Sequence, residues 1–237
     1  MKIDPALILF DQAINSQCPI ASQKTCSELS SSFLFTKKST ITNTVDSLIR
    51  LAGSADINDV SLITQNLQLI PMTALQFLQS CETKIVICRN SITEHRSELK
   101  GVNPRGWPRN YTWDNVPGVF NRDRNEVVIS TIAHNSISGP RVPKTGEAHG
   151  SFNLVLHEVF HALDYHLHNS FNSNSESFND ARSKDLNSLN QYESQPGKAG
   201  LEETFAESAA RYFGGSACDK LRHPNLNEYW ADYSFPC

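Results

Sequence analysis

Two of the chain's eight histidines stand four residues apart in His157-Glu158-Val159-Phe160-His161. On an α-helix such residues lie one turn above each other on the same face, so both imidazoles can reach one metal ion. The intervening position beside the first histidine sets Glu158 against a water held by that ion rather than against the ion itself. The chemistry this pattern supports is hydrolysis by metal-activated water, with Glu158 as general base. Apolar residues flank both histidines, and buried imidazoles need partners, which a metal would supply.

A zinc site of this type takes a third protein ligand and leaves a fourth position to water. Asp164 and His168 continue the stripe of His157 and His161, but a straight helix carries each residue about 1.5 Å further along its axis, away from a shared ion. Asp164 reads better as a hydrogen-bond acceptor behind a ligand histidine, and His168 as a surface residue. The other candidates are Glu203 and Glu207, four apart on a second helix, where two like charges on one face call for something positive between them.

The elements that must carry these residues follow from pattern. Ser151 is a plausible N-cap for a helix running to about Asn169, whose buried side is Leu154, Val155, Val159, Phe160, Ala162, Leu163 and Leu167. Gln195-Pro196-Gly197 breaks the chain before the second helix, from about Leu201 to Phe213, and a weaker helix is expected around Ala181 to Gln191. Lys84–Cys88 and 125–132 read as strands, separated by a turn-rich loop over 101–123. Up to Ser80 the chain reads as short helices, with Asp56 capping one and Pro71 opening another. The expected organisation is one domain over 1–237: a helical portion to residue 80, a catalytic sheet with two site helices over 81–213, and a C-terminal tail over 214–237.

Composition bounds the function. The net charge of −4, from 21 basic and 25 acidic residues, gives no reason to expect nucleic acid, and no apolar run is long enough to span a membrane. From Glu147 to Glu207 ten acidic residues face three basic ones, a local imbalance that a divalent cation would offset. The six cysteines lie in sequence-adjacent pairs, 18–26, 81–88 and 218–237, with no metal-binding spacing among them. That arrangement favours disulfides and an exported protein, with free buried thiols as the alternative. The opening MKIDPALILFDQ is too short and too acidic to be a secretory signal.

His157-Glu158-x-x-His161-Ala162-Leu163-Asp164, followed by Glu203-x-Phe205-Ala206-Glu207, resembles the catalytic domain of anthrax lethal factor and the related secreted Pro-Pro endopeptidases. The approach segment 149–156 and the stretch 111–118 share the likeness, which covers roughly residues 84–213. The resemblance implies an α+β fold, mostly helical and zincin-like, with a small mixed β-sheet and the H-E-x-x-H motif on an active-site helix. It implies one Zn²⁺ per chain on His157, His161 and Glu203, with Glu207 orienting a ligand histidine. It also implies a catalytic tyrosine shortly before the ligand glutamate; the nearest is Tyr192, although its eleven-residue spacing to Glu203 is longer than the family pattern.

The implied reaction is endoproteolysis by a monomeric, secreted zinc metallopeptidase, on a protein or peptide that contains proline. An extended substrate would add to a strand edge beside the metal. The candidate strand is 126–132, which puts Val128 and Ser130 against the peptide, and the loop holding Arg105, Trp107, Tyr111 and Trp113 would wall the cleft. The alternative for Trp113 is core filling. Two other functional classes stay open: a zinc hydrolase acting on a non-peptide bond, and a non-enzymatic binding module that keeps the site.

Overall fold

The computed structural model describes residues 43–104, 109–132, 139–147, 150–167 and 171–236. Expectations that fall on the first 42 residues, the 18–26 cysteine pair, Arg105, Trp107, His149, His168 and Cys237 lie outside the described residues.

A helical stretch over 43–48 leads directly into β1 (Ile49–Leu51). Next come α1 (Ile57–Leu67), α2 (Met72–Ser80) and β2 (Lys84–Cys88). Asp56 caps α1 as expected, in a reciprocal box: its side chain accepts from the Asn58 amide at 2.8 Å while Asp59 accepts from the Asp56 amide. A hairpin then pairs β3 (Gly118–Asn121) with β4 (Glu126–Ser130). The four strands form one mixed sheet in the order β1-β2-β4-β3, with β1, β2 and β4 parallel and β3 antiparallel to β4 at the edge.

Alternation along β2 and β4 divides the core. Ile85, Ile87, Val127 and Ile129 point to the helical side, whereas Val86, Cys88 and Val128 join Ile92 and Val116 in a smaller cluster on the other face. The helical layer is built around α3 (Leu154–His166), which carries the H-E-x-x-H motif and packs against α5 (Gly197–Gly214). Asn153, rather than Ser151, caps α3, accepting from the Leu156 amide at 3.2 Å. The weak helix begins five residues earlier than the periodicity suggests, as α4 (Glu176–Asp185), because Ser175 supplies its N-cap and Phe178 and Ala181 supply its buried face. No helix among the described residues is long and apolar enough to cross a membrane.

Two expectations are overturned. Cys81 and Cys88 are free thiols. Cys81 precedes the five-residue strand β2 and Cys88 ends it, and the four extended steps of about 3.3 Å along the strand exceed the roughly 7 Å that a disulfide can bridge. Burial, with the nearby Glu94 carboxylate, pushes the Cys88 thiol up to about 12, so it is an inert core residue.

The second correction concerns residues after 213, which are no tail. They form α6 (Ala217–Leu221) and α7 (Pro224–Asp232), and α7 drives Trp230 into the core at 2% exposure. There the indole contacts Phe160 of the motif helix and Phe205 of α5, with ring centroids 5.4 and 4.8 Å away, and donates its N–H to Ser208 at 2.9 Å. Trp230→Ala should therefore cost about 3–5 kcal/mol of stability, read as a lowered midpoint in denaturant unfolding. A midpoint within experimental error of the parent's would show that the helix pair does not depend on this contact.

Candidate metal centre and cleft

The two histidines of α3 meet one stripe of α5. Glu203, Glu207 and Arg211 follow at four-residue spacing along α5, so all three project from the same side. His157 and His161 approach each other through their Nε2 atoms at 3.1 Å. The Glu203 Oε2 atom lies 3.3 Å from the first and 3.5 Å from the second. That oxygen is buried and makes a hydrogen bond to neither, and the three ligand atoms form a compact group able to hold a metal ion. Metal–ligand bonds of about 2.0–2.1 Å in a tetrahedron place neighbouring ligand atoms about 3.3 Å apart, which these separations match, and two imidazole donors suit a transition-metal ion rather than calcium with its all-oxygen shell. The donor set fits zinc.

Behind this triangle each group has a partner. The Glu207 Oε2 atom is 3.0 Å from His157 Nδ1, and its Oε1 accepts the Phe152 amide at 2.8 Å. A hydrogen bond donated by Nδ1 fixes the tautomer that leaves the Nε2 lone pair facing the triangle. Burial by itself would lower the basicity of His157, but the carboxylates of Glu203 and Glu207 outweigh it and hold the imidazole well above its usual range. Burial likewise opposes ionisation of Glu203, and the two histidines reverse that effect, keeping it a carboxylate.

Asp164 behaves differently from the expectation. It is fully buried, and its Oδ1 accepts the Ser173 amide at 2.6 Å rather than a histidine N–H, so it anchors the turn after α3. Burial raises its carboxyl to about 6.

A cleft of about 250 Å³ opens over the triangle. Glu158, Tyr192, Trp113 and Glu202 line it, together with the β3 residues Gly118, Val119 and Phe120 and, just beyond that strand, Arg122. Gly118 is required by the approach of this strand to α3, because a Cβ there would lie 2.9 Å from both Glu158 Cγ and Leu154 Cδ1. Trp113 lines the cleft and also packs on the smaller core cluster.

Tyr192 reaches the cleft despite its long spacing from Glu203. The loop that carries it is clamped onto α5: the Glu193 carbonyl accepts from Arg182 at 2.6 Å and from Thr204 at 2.9 Å. Gly200 lets the loop close, since a Cβ there would sit 1.8 Å from the Gln195 carbonyl oxygen. Desolvation in the cleft, followed by the carboxylates of Glu203 and Glu158, pushes the Tyr192 hydroxyl well above an ordinary phenol, so it stays a neutral donor.

The substrate strand anticipated at 126–132 is misplaced. β4 is hydrogen-bonded on both sides, to β2 and to β3, and offers no edge. Val128 is completely buried in the smaller cluster, and the buried Ser130 accepts the Ile132 amide N–H on its hydroxyl oxygen at 3.1 Å. The free edge facing the cleft belongs to β3. Its signal was present in the sequence as Gly-Val-Phe, then the polar turn Asn-Arg-Asp-Arg-Asn, then Glu-Val-Val-Ile-Ser, a hairpin pattern.

Known proteins resemble this chain in sequence and fold. The family model described as anthrax toxin lethal factor, N- and C-terminal domain, matches residues 36–229. A Pro-Pro endopeptidase of Clostridioides difficile is 30% identical over 167 residues, 68% of each chain. One from Paenibacillus alvei is 36% identical over 124 residues, a match that spans about half of either chain, 51% of this one and 52% of the relative. The solved structure of the P. alvei Pro-Pro endopeptidase PPEP-2 superimposes with a TM-score of 0.66 at 29% identity, covering 79% of this chain and 98% of that one. Because the matched stretch takes in the sheet and both site helices, this chain belongs to the anthrax toxin lethal factor family.

Proposed function

We propose that this chain is a zinc-dependent endopeptidase, acting as one catalytic domain and as a monomer outside the cell, on proline-containing peptides. The observation that carries the reading is the convergence of His157, His161 and Glu203 on a single point, with Glu158 lining the cleft directly above. The names of the relatives supply the preference for proline.

His157, His161 and Glu203 would hold one zinc ion, whose chemistry is to acidify water to a pKa of about 7 and to polarise a carbonyl oxygen. Glu158 takes the proton of the attacking water and delivers it to the leaving amine. Packing of its Cγ against the β3 backbone at Gly118 restricts the arc its carboxylate can sweep. Tyr192, kept neutral, donates a hydrogen bond to the oxygen that becomes negative in the transition state. Glu207 keeps His157 in the tautomer that presents Nε2 to the cation. The substrate backbone pairs with the open edge of β3, while Trp113 and Phe120 offer ring faces to side chains that alternate along it.

Digestion of an unbiased peptide library, with and without a chelator, tests the activity. Cleavage should require the metal and return when zinc is restored, and a zinc-loaded protein that cuts nothing across a broad library would exclude an endopeptidase. Glu158→Gln should retain one equivalent of zinc and lose at least about a hundredfold in kcat. Undiminished turnover in that variant removes Glu158 from the mechanism. For Tyr192→Phe the expected loss is about a hundredfold in kcat with KM and zinc content unchanged, measured on the best library peptide. A rise confined to KM would make Tyr192 a substrate contact instead.

A further inference from the structure

The stripe Glu203, Glu207, Arg211 ends on a buried cation that the proposed reaction does not use. Arg211 is 8% exposed. Its guanidinium grips the Glu193 carboxylate with both terminal nitrogens, Nη1 at 3.1 Å from Oε2 and Nη2 against Oε1. Glu193 is 1% exposed and immediately follows Tyr192. On its other side the Arg211 Nη1 atom lies 3.6 Å from the Glu207 Oε1 atom, whose sister oxygen holds His157 Nδ1.

One guanidinium thus stands between two buried carboxylates. One of these carboxylates orients a metal-facing histidine, and the other belongs to the loop that brings Tyr192 into the cleft. Without the cation, Glu193 and Glu207 would be like charges sharing a dry interior. The loop backbone already has separate anchors in Arg182 and Thr204, so a second, charged fastening to α5 is surplus to simple attachment. What it adds is register: the fork of Arg211 fixes the loop relative to the helix from which Glu203 and Glu207 project.

We infer that Arg211 and Glu193 are positioning residues for the catalytic centre, holding Tyr192 and the His157–Glu207 pair in one fixed relation. The inference rests on the metallopeptidase reading above. It predicts that loosening the pair lowers both zinc affinity and turnover without removing any group that touches substrate.

Arg211→Lys keeps the charge but loses the planar fork. The double variant Glu193→Leu with Arg211→Met replaces the buried pair by apolar side chains, an exchange that buried ion pairs often tolerate in stability. For each, three quantities are measured against the parent: the thermal midpoint, zinc affinity by competition with a chromophoric chelator, and kcat and KM on the best library peptide. The expected result in the folded variants is about a tenfold loss in zinc affinity and about a tenfold loss in kcat, with KM within twofold. Zinc affinity and kcat both within twofold of the parent in either folded variant would overturn the inference and leave the pair a stabilising contact only. Failure of the parent itself to bind zinc overturns the site reading instead, so the two failures are distinguishable.

Discussion

Charge compensation in a dry interior is the constraint on which this structure turns. The side chains of His157, Glu193, Glu207 and Arg211, on two helices and one loop, are almost wholly withdrawn from water, and the Glu203 Oε2 atom is buried among them. A buried carboxylate persists only where a cation or donor faces it. Glu207 has His157, the Phe152 amide and Arg211; Glu193 has Arg211 and the Asn190 side chain. Glu203 faces two imidazole nitrogens that also face each other, and its buried Oε2 atom, unlike the oxygens of Glu193 and Glu207, lacks a hydrogen-bond partner, a deficit in coordination. The proposed zinc belongs at that deficit, and the rest of the network determines where the deficit lies.

The apolar framework serves the same end. Phe160, inside the motif, and Phe205, between Glu203 and Glu207, both pack on Trp230, so the helices that present polar groups on one side are locked together by rings on the other. The two sides cannot be varied independently. A change in the aromatic layer that rotates α3 or α5 by even a small angle moves lone pairs whose useful separation is a few tenths of an ångström wide.

Much of the centre was legible because helical periodicity is local. Four-residue spacing alone brings His157 to His161 and Glu203 to Glu207, and the breaker at 195–197 separates the two helices that carry them. What escaped was whatever depends on order in space. A run of β-branched residues announces that Glu126–Ser130 is a strand, but only the sheet reveals that it is interior and that the shorter, glycine-led β3 is the edge. Sequence proximity suggested a Cys81–Cys88 bridge that the intervening strand forbids. Arg211 carried no signal in the sequence, since nothing in its spacing names a partner eighteen residues upstream. Asp164 sat on the correct face of its helix, yet a backbone amide of the following turn claimed it. The residues after 213 were misjudged because α6 and α7 are short and α7 buries only Leu226 and Trp230.

In the proposed reaction, the near contact of Gly118 with Glu158 would tie substrate alignment to bond choice. For a peptide paired along β3, the residue opposite Gly118 is also the residue beside the base, so hydrogen-bond register and the position of the cut become a single variable. A slip of one residue would carry the chain about 3.3 Å along the edge and turn every side chain to the opposite face. Selectivity would then reside less in a deep pocket for one side chain than in whatever prevents sliding. A ring that lacks an amide hydrogen is well suited to that task, because each proline tolerates only the non-bonding positions of a ladder and so counts off the register of the strand that contains it.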